Sequence, residues 1–398
     1  MLDNTPLAPL EGGIANLSSP LLETYLRPAW IEIDLYQLRR NLEIIRNDMP
    51  PRLHWYSVVK DDAYGHGAAA VARETLRAGA SCLAVATVEE GLKLRDASIQ
   101  APILVFGERT EEELEYCTAH QLICFVNDEA QAQRLDRLAH RHEQKISVHV
   151  EVDTGLSRHG VRWNKAVSHV SALAGYSNLK IGGLMTHFAM SDELDKTFAH
   201  EQLRRFQEVL HALRERGIAI PLRHTCNSGG YLDLPHAHFE MVRMGILPLG
   251  VYPSQVCRRI SGLAPIMQVK ARVAALQHIE AGDHVGYGMR YTAESPRTIA
   301  VLPLGYGDGY PRVRNAGHVL IHGRRAPIVG GNAMDAMMID VTGVPNIQQW
   351  DEAVLLGEQH GETISIHDLA KLGGTVSYDM MTKLSMRLPR NYISGELE

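Results

Sequence analysis

From about residue 30 to 250 the chain alternates short apolar or β-branched runs with longer segments whose apolar residues recur every three or four positions. Runs at 55–59, 82–86, 102–106, 123–126, 147–152, 181–185, 221–225 and 240–243 predict buried strands, and 88–95, 111–120, 128–142 and 197–216 predict amphipathic helices. Eight strands separated by helices predict a parallel (β/α)8 barrel of the TIM type, with a doubly wound open sheet as the rival topology. After about Gly262 the texture changes to short apolar runs at 267–273, 298–302, 318–321 and 353–356 between Gly, Pro and Asp turns, interrupted by one helical stretch at 367–372. The expected organisation is an N-terminal extension over 1–26, a barrel over 27–262 and a mainly β C-terminal domain over 263–398.

Composition narrows the class of function. The 398 residues carry 40 Lys+Arg against 46 Asp+Glu, a net charge of -6, and the basic residues form only short pairs such as Arg39-Arg40 and Arg324-Arg325. Nucleic acid is therefore an unexpected partner and a small molecule an expected one. No apolar stretch approaches the ~20 residues needed to span a bilayer, and the start lacks a basic segment followed by an apolar core, so the reading is a cytoplasmic protein without a membrane partner. Five cysteines without a C-x-x-C pair read as small buried hydrophobes, and histidine pairs such as His140/His142 and His236/His238 lack a third ligand, so no metal site is expected.

Functional groups of a barrel project from the C-terminal ends of its strands. The first predicted strand runs directly into Lys60, and burial at a barrel mouth lowers a lysine pKa, which suits Schiff-base chemistry. The seventh and eighth strands run into Asn227-Ser228-Gly229-Gly230 and Met244-Gly245-Ile246. Small residues at those positions let backbone N–H groups approach a phosphate. A lysine and a phosphate cradle on one mouth point to pyridoxal 5'-phosphate.

The string VVKDDAYGHG at 58–67 resembles the cofactor-attachment signature of the alanine racemase family, enzymes of pyridoxal-phosphate fold type III. The resemblance runs from about residue 27 to 393. It takes in Arg27-Pro28, Val152-Asp153-Thr154-Gly155, Met185-Thr186-His187-Phe188, Asn227-Ser228 and Met241-Val242-Arg243, then Val285-Gly286-Tyr287-Gly288, Leu304-Gly305-Tyr306-Gly307-Asp308, Met334-Asp335 and Leu388-Pro389-Arg390. It implies an isomerase that interconverts L- and D-alanine and supplies the D-amino acid. By this likeness Lys60 carries the cofactor and serves as one catalytic base, and Tyr287, delivered by the other subunit of a homodimer, is the second. Two bases are needed because racemisation removes a proton on one face of the α-carbon and returns one on the other. The likeness further implies that Arg243 faces the pyridine nitrogen and that Arg158 meets the cofactor's phenolic oxygen and the substrate carboxylate. Tyr64, Ser228, Gly245, Ile246 and Tyr378 are implied at the phosphate, His187 against the ring and Met334 of the second subunit at the substrate. The strand near 30–35 is implied to join the C-terminal domain.

The chain departs from the family pattern at several positions. Glu151 stands where many members carry a carbamylated lysine, and both present a carboxylate toward Arg158. Gly331, Ala333, Gly230 and Asp61 replace an arginine, a cysteine and two alanines. These changes keep serine or a broader set of amino acids open as substrates. An amino-acid decarboxylase on a similar two-domain barrel is the remaining enzymatic alternative, although it leaves Tyr287 and the 58–67 string unexplained.

Overall fold

The computed structural model describes residues 27–384 and 387–395, so the expected N-terminal extension lies outside the described residues. Eight parallel strands form the path of the first, nine-stranded sheet, in the order Met241–Met244, His54–Val58, Cys82–Val85, Ile103–Val105, Leu122–Phe125, Ile146–Asp153, Leu179–Met185 and Leu222–His224, and the two-residue strand Val161–Arg162 pairs off this path with Ile146–Asp153. The two ends of this order meet. The Arg243 N–H donates to the Cys226 carbonyl at 2.9 Å, and Arg223 donates through Nε to Glu240 Oε2 at 2.8 Å. The sheet is therefore a nearly closed barrel and not an open doubly wound sheet. Its strands are short and almost wholly buried, as expected where helices cover the outside and side chains fill the inside.

Helix starts follow local side-chain chemistry. Thr87 and Thr110 accept from the backbone N–H of Glu90 and Glu113, and those glutamates reach back, which makes capping boxes for Val88–Asp96 and Glu111–Ala119. Asp34 caps Leu35–Asp48 by accepting from the Gln37 N–H at 2.8 Å.

The second sheet has ten strands and belongs mainly to the C-terminal part. Its central ladder pairs Met267–Arg272 antiparallel with Glu352–Gln359 on one side and with Ala29–Asp34 on the other. Ala29–Asp34 also pairs parallel with Arg390–Ile393, so the start of the described chain is a strand of the β domain. The chain then crosses back, because Leu35–Asp48 packs on the barrel helix Ala68–Arg77. The sequence reading of one helix in this domain is corrected. Ser377–Lys383 is a second helix beside Ile366–Leu372, and unlike that helix, which Ser365 and Asp368 open with a capping box, it starts after Val376 with no side-chain cap to mark it. The five cysteines are buried and free. Among the described residues no helix is long and apolar enough to cross a membrane, and no cluster of three or more His, Cys, Asp or Glu could hold a metal ion.

Asp308 ties distant segments of the β domain together. Its buried carboxylate accepts from Arg27 at 2.5 and 2.8 Å, from Arg387 Nε at 3.1 Å and from the Gly305 N–H at 2.9 Å. Burial by itself would raise its pKa, yet the Arg27 hydrogen bond, the Gly305 N–H and the Arg27 charge hold it below the ordinary carboxylate value. A carboxyl depressed in the folded state stabilises the fold above the unfolded pKa and loses that contribution as pH falls through the folded pKa. Asp308→Asn is thus expected to lower stability at pH 7 by about 3 kcal/mol, measured by urea unfolding. The difference from wild type should shrink below about pH 4, and a pH-independent difference would refute the ion-pair account.

Candidate active site

Directly after the strand His54–Val58 the backbone enters an unusual conformation. Asp61, Asp62, Ala63 and Tyr64 have φ of 52–54° and ψ of 42–51°, one turn of left-handed helix following Lys60. L-residues in this region cost roughly 1–2 kcal/mol each, so such a turn persists only where its surroundings hold it. Here they do. The Asp61 N–H donates to Glu90 Oε1 at 2.5 Å, and Glu90 is itself fixed by its capping box. The Asp62 side chain accepts from the Ala68 N–H at 2.8 Å and pairs with Arg390 at 2.9 Å. Arg390 Nε donates to the Gly65 carbonyl at 2.9 Å. His66 Nδ1 lies 3.0 Å from both the Ala63 and the Tyr64 carbonyl. Gly67 closes the turn at φ 94°, where an added Cβ would sit 1.8 Å from the Tyr392 hydroxyl oxygen. The β domain thereby clamps a loop of the barrel.

Beside this turn lies a cavity of about 570 Å³ at the C-terminal mouth of the barrel. Lys60, Tyr64, Arg158, His187, Ser228, Arg243, Gly245, Ile246 and Tyr378 all line it, joined by Glu151, Asn227, Glu108 and His159. The Lys60 pKa is lowered, first by burial and then by the Arg158 charge, so more of the amine is unprotonated at neutral pH. The Gly245 N–H donates to Ser228 Oγ at 3.2 Å. An added Cβ on Gly245 would come within 2.4 Å of the Tyr64 hydroxyl oxygen, so only glycine leaves this backbone open beside the tyrosine. Tyr378 arrives on the helix Ser377–Lys383, which packs against the left-handed turn and puts its ring 6.3 Å from that of Tyr64.

Arg243 is buried at the base of the cavity. Its Nη1 donates to the His224 carbonyl and to His224 Nδ1. Its Nη2 donates to the Thr186 and Thr225 carbonyls and to His187 Nδ1. An arginine only donates, so His224 and His187 must both accept through Nδ1 and carry their proton on Nε2. His224 Nε2 then donates to His149 Nδ1 at 3.0 Å, which sets the third tautomer. Burial first, then the Arg243 charge, depresses the pKa of all three histidines, with His149 at about 4. They are neutral at physiological pH. Burial also brings Arg243 down to about 10. The sequence reading passed over His149 and His224, although a signal was present. In V-H-V-E-V-D (148–153) polar residues occupy every second position of a strand that should be apolar on both faces. The ring of His149 fits because Gly183 lies opposite, where a Cβ would fall 2.5 Å from it.

The same strand ends in Asp153, whose Oδ1 accepts from the Gly155 and Ser157 N–H groups at 3.0 and 2.9 Å while Oδ2 pairs with Arg162 at 2.9 Å. This shapes the loop that presents Arg158 at the mouth. Arg158 is exposed and makes no ion pair with any described residue, Glu151 included, so its guanidinium is available to a ligand. Glu151 is buried, and its pKa is raised by that burial against the opposing Arg158 charge.

Tyr287 and Met334 are not in this cavity. Tyr287 sits between the short paired strands His284–Val285 and Tyr291–Thr292, flanked by Gly286 and Gly288 at φ 75° and 73°, and is 83% exposed. Met334 is 55% exposed on a loop anchored through its carbonyl to the Gly307 N–H at 2.7 Å. One chain alone therefore does not bring either residue to Lys60.

Fold and site together define a (β/α)8-barrel enzyme with an added β domain and a lysine of lowered pKa in the cavity at the barrel mouth. Sequence models of the alanine racemase N-terminal and C-terminal domains match residues 33–253 and 266–392. The chain belongs to the alanine racemase family. It is 42% identical over 367 residues to an alanine racemase of Halothermothrix orenii, covering 92% of this chain and 97% of that one. Identity to an alanine racemase of a Nostoc species is 39%, over 91% of this chain and 95% of the relative. Among solved structures, an alanine racemase of Clostridium difficile superposes with a TM-score of 0.89 at 33% identity, covering 92% of this chain and 96% of the other. One from Bacillus anthracis with bound L-Ala-P gives 0.86 at 32%, covering 93% and 96%.

Asp153→Ala should release the Arg158 loop. Amide hydrogen exchange at Gly155 and Ser157, which lose their acceptor, is expected to accelerate about tenfold or more, from the ~1–1.5 kcal/mol of a lost hydrogen bond. Unchanged protection would show that the loop is held otherwise.

Proposed function

We propose that this protein racemises alanine with pyridoxal 5'-phosphate, using Lys60 of one subunit and Tyr287 of a second. The observation that carries this reading is the convergence of Lys60, Arg158, His187, Ser228, Arg243, Gly245 and Tyr378 on one cavity. Its donor set fits the cofactor, with an amine of lowered pKa on one wall and a cradle on the other that a Cβ at Gly245 would obstruct. When bound, the cofactor supplies an electron sink that acidifies the α-hydrogen of an amino acid.

The chain's own groups do the rest. Lys60 Nζ holds or gives a proton on one face of the substrate, and Tyr287 does so on the other. Arg158 offers its exposed guanidinium to the substrate carboxylate as a forked donor. Arg243 has both η nitrogens committed to protein acceptors, which leaves Nε–H for the ring nitrogen. A guanidinium does not readily release its proton, so Arg243 would leave the ring nitrogen of a bound cofactor unprotonated and would restrain side reactions. Glu151, buried beside Arg158, positions it by charge across the cavity. The exposed Tyr287 and Met334 fit surfaces that a second copy completes, so we read the active form as a homodimer. Five buried free thiols suit the reducing cytoplasm.

Mixing inactive variants tests shared sites directly. Lys60→Ala and Tyr287→Phe should each be nearly inactive alone. After subunit exchange, half of the dimers are mixed and each has one intact site, so activity should return to about a quarter of wild type. No recovery despite demonstrated exchange would place both bases in one chain or remove Tyr287 from the chemistry. Glu151→Gln should raise the KM for alanine about tenfold, from a loss of about 1.4 kcal/mol, with a smaller change in kcat. An unchanged KM would separate Glu151 from Arg158.

A further inference from the structure

The loop that carries Arg158 spans 154–160, between the strands Ile146–Asp153 and Val161–Arg162. Its backbone is not relaxed, since Ser157, directly before the arginine, has a φ of 57° in the left-handed region. Asp153 holds the near side of the loop through the Gly155 and Ser157 N–H groups. The far side is held from another strand end. Glu108, in the loop after Ile103–Val105, lies 2.5 Å from His159 Nδ1 and accepts from the Gly160 N–H at 3.4 Å, the two residues that follow Arg158. It also accepts from Asn127 Nδ2 at 3.2 Å, and Asn127 Oδ1 in turn accepts from the Glu151 N–H at 2.9 Å. Burial alone would raise the Glu108 pKa, yet the hydrogen bonds from Asn127 and Gly160, with His159, hold it below the ordinary carboxylate value. A carboxylate only accepts, so His159 Nδ1 is the donor. One exposed Glu–His pair is worth little by itself. Here three donors from two separate loops converge on a single carboxylate.

We propose that Glu108 is a positioning residue for Arg158: by tying His159 and Gly160 to the neighbouring strand ends, it sets where the guanidinium stands for a substrate carboxylate. The inference rests on the reading of Arg158 as the donor to that carboxylate. Arg158 is exposed and makes no ion pair with any described residue, so its placement comes from the backbone on either side. Charge and positioning predict opposite signs for the loss of Glu108. The residue lines the same cavity as Arg158, and a carboxylate there repels an anionic ligand. If its charge alone mattered, removing it would tighten anion binding. If it holds Arg158 in place, removing it weakens anion binding.

The test uses the cofactor-loaded protein and propionate, which has the carboxylate of alanine but no amino group, so a contact between Glu108 and the substrate amine does not enter. In calorimetric titration Glu108→Ala should bind propionate about tenfold more weakly, about 1.4 kcal/mol. The KM for alanine should rise by a similar factor while kcat changes less. Glu108→Gln keeps an acceptor for the Asn127 and Gly160 N–H groups and should retain most of the affinity. Propionate binding that is unchanged or tighter in Glu108→Ala, yet weakened in Arg158→Ala, would overturn the proposal and leave Arg158 as the carboxylate donor. Binding indifferent to Arg158→Ala would remove that role, and the proposal with it.

Discussion

The left-handed turn after Lys60 is the constraint on which the rest of the structure depends. Four consecutive L-residues at φ near +53° represent roughly 4–8 kcal/mol of local strain, which no short loop sustains by itself. Glu90 holds the turn from the barrel side, His66 from within, and Asp62 and Gly65 are held by Arg390 of the β domain. The turn fixes both the lysine and Tyr64, so a misfit anywhere in this clamp displaces both walls of the cavity. The two domains are thus one device. The second-domain helix Ser377–Lys383 rests on the same turn and adds Tyr378 to the site.

Arg243 plays the corresponding part at the base of the barrel. A fully buried guanidinium is unfavourable unless its donors are matched, and here carbonyls and imidazole nitrogens accept from both η nitrogens. In return it fixes the protonation pattern of His187, His224 and His149 without any carboxylate. A barrel interior that would otherwise be packed with branched aliphatics instead holds an ordered column of one charged guanidinium and three neutral imidazoles. Glycine at 183 makes room for it.

Much of the fold was legible because it obeys simple periodicities. Each of the eight barrel strands begins and ends within two residues of its predicted span, and the predicted helix at 197–216 is Thr197–Glu215 in the structure. Lys60 could be singled out because an apolar strand ran straight into a charge at a barrel mouth. The companion positions were legible only through resemblance, since an arginine after a strand or a tyrosine in V-G-Y-G has many ordinary explanations. The short helix carrying Tyr378 escaped because it is short and no capping side chain marks its start, and the polar column escaped because its members lie far apart in sequence. His149 and His224 become neighbours only when the strands close into a barrel.

By itself, then, the sequence determined the order of the barrel strands, the change from barrel to β domain and the lysine at the end of the first barrel strand, because all three are written in local spacing and residue type. The tertiary structure decided how the start of the described chain crosses into the β domain, how distant carbonyls and imidazoles satisfy Arg243, and how a strained turn is clamped from both domains. It also left Tyr287 and Met334 exposed and away from Lys60. These are relations between residues tens to hundreds of positions apart, and they exist only once packing brings the partners within hydrogen-bonding distance.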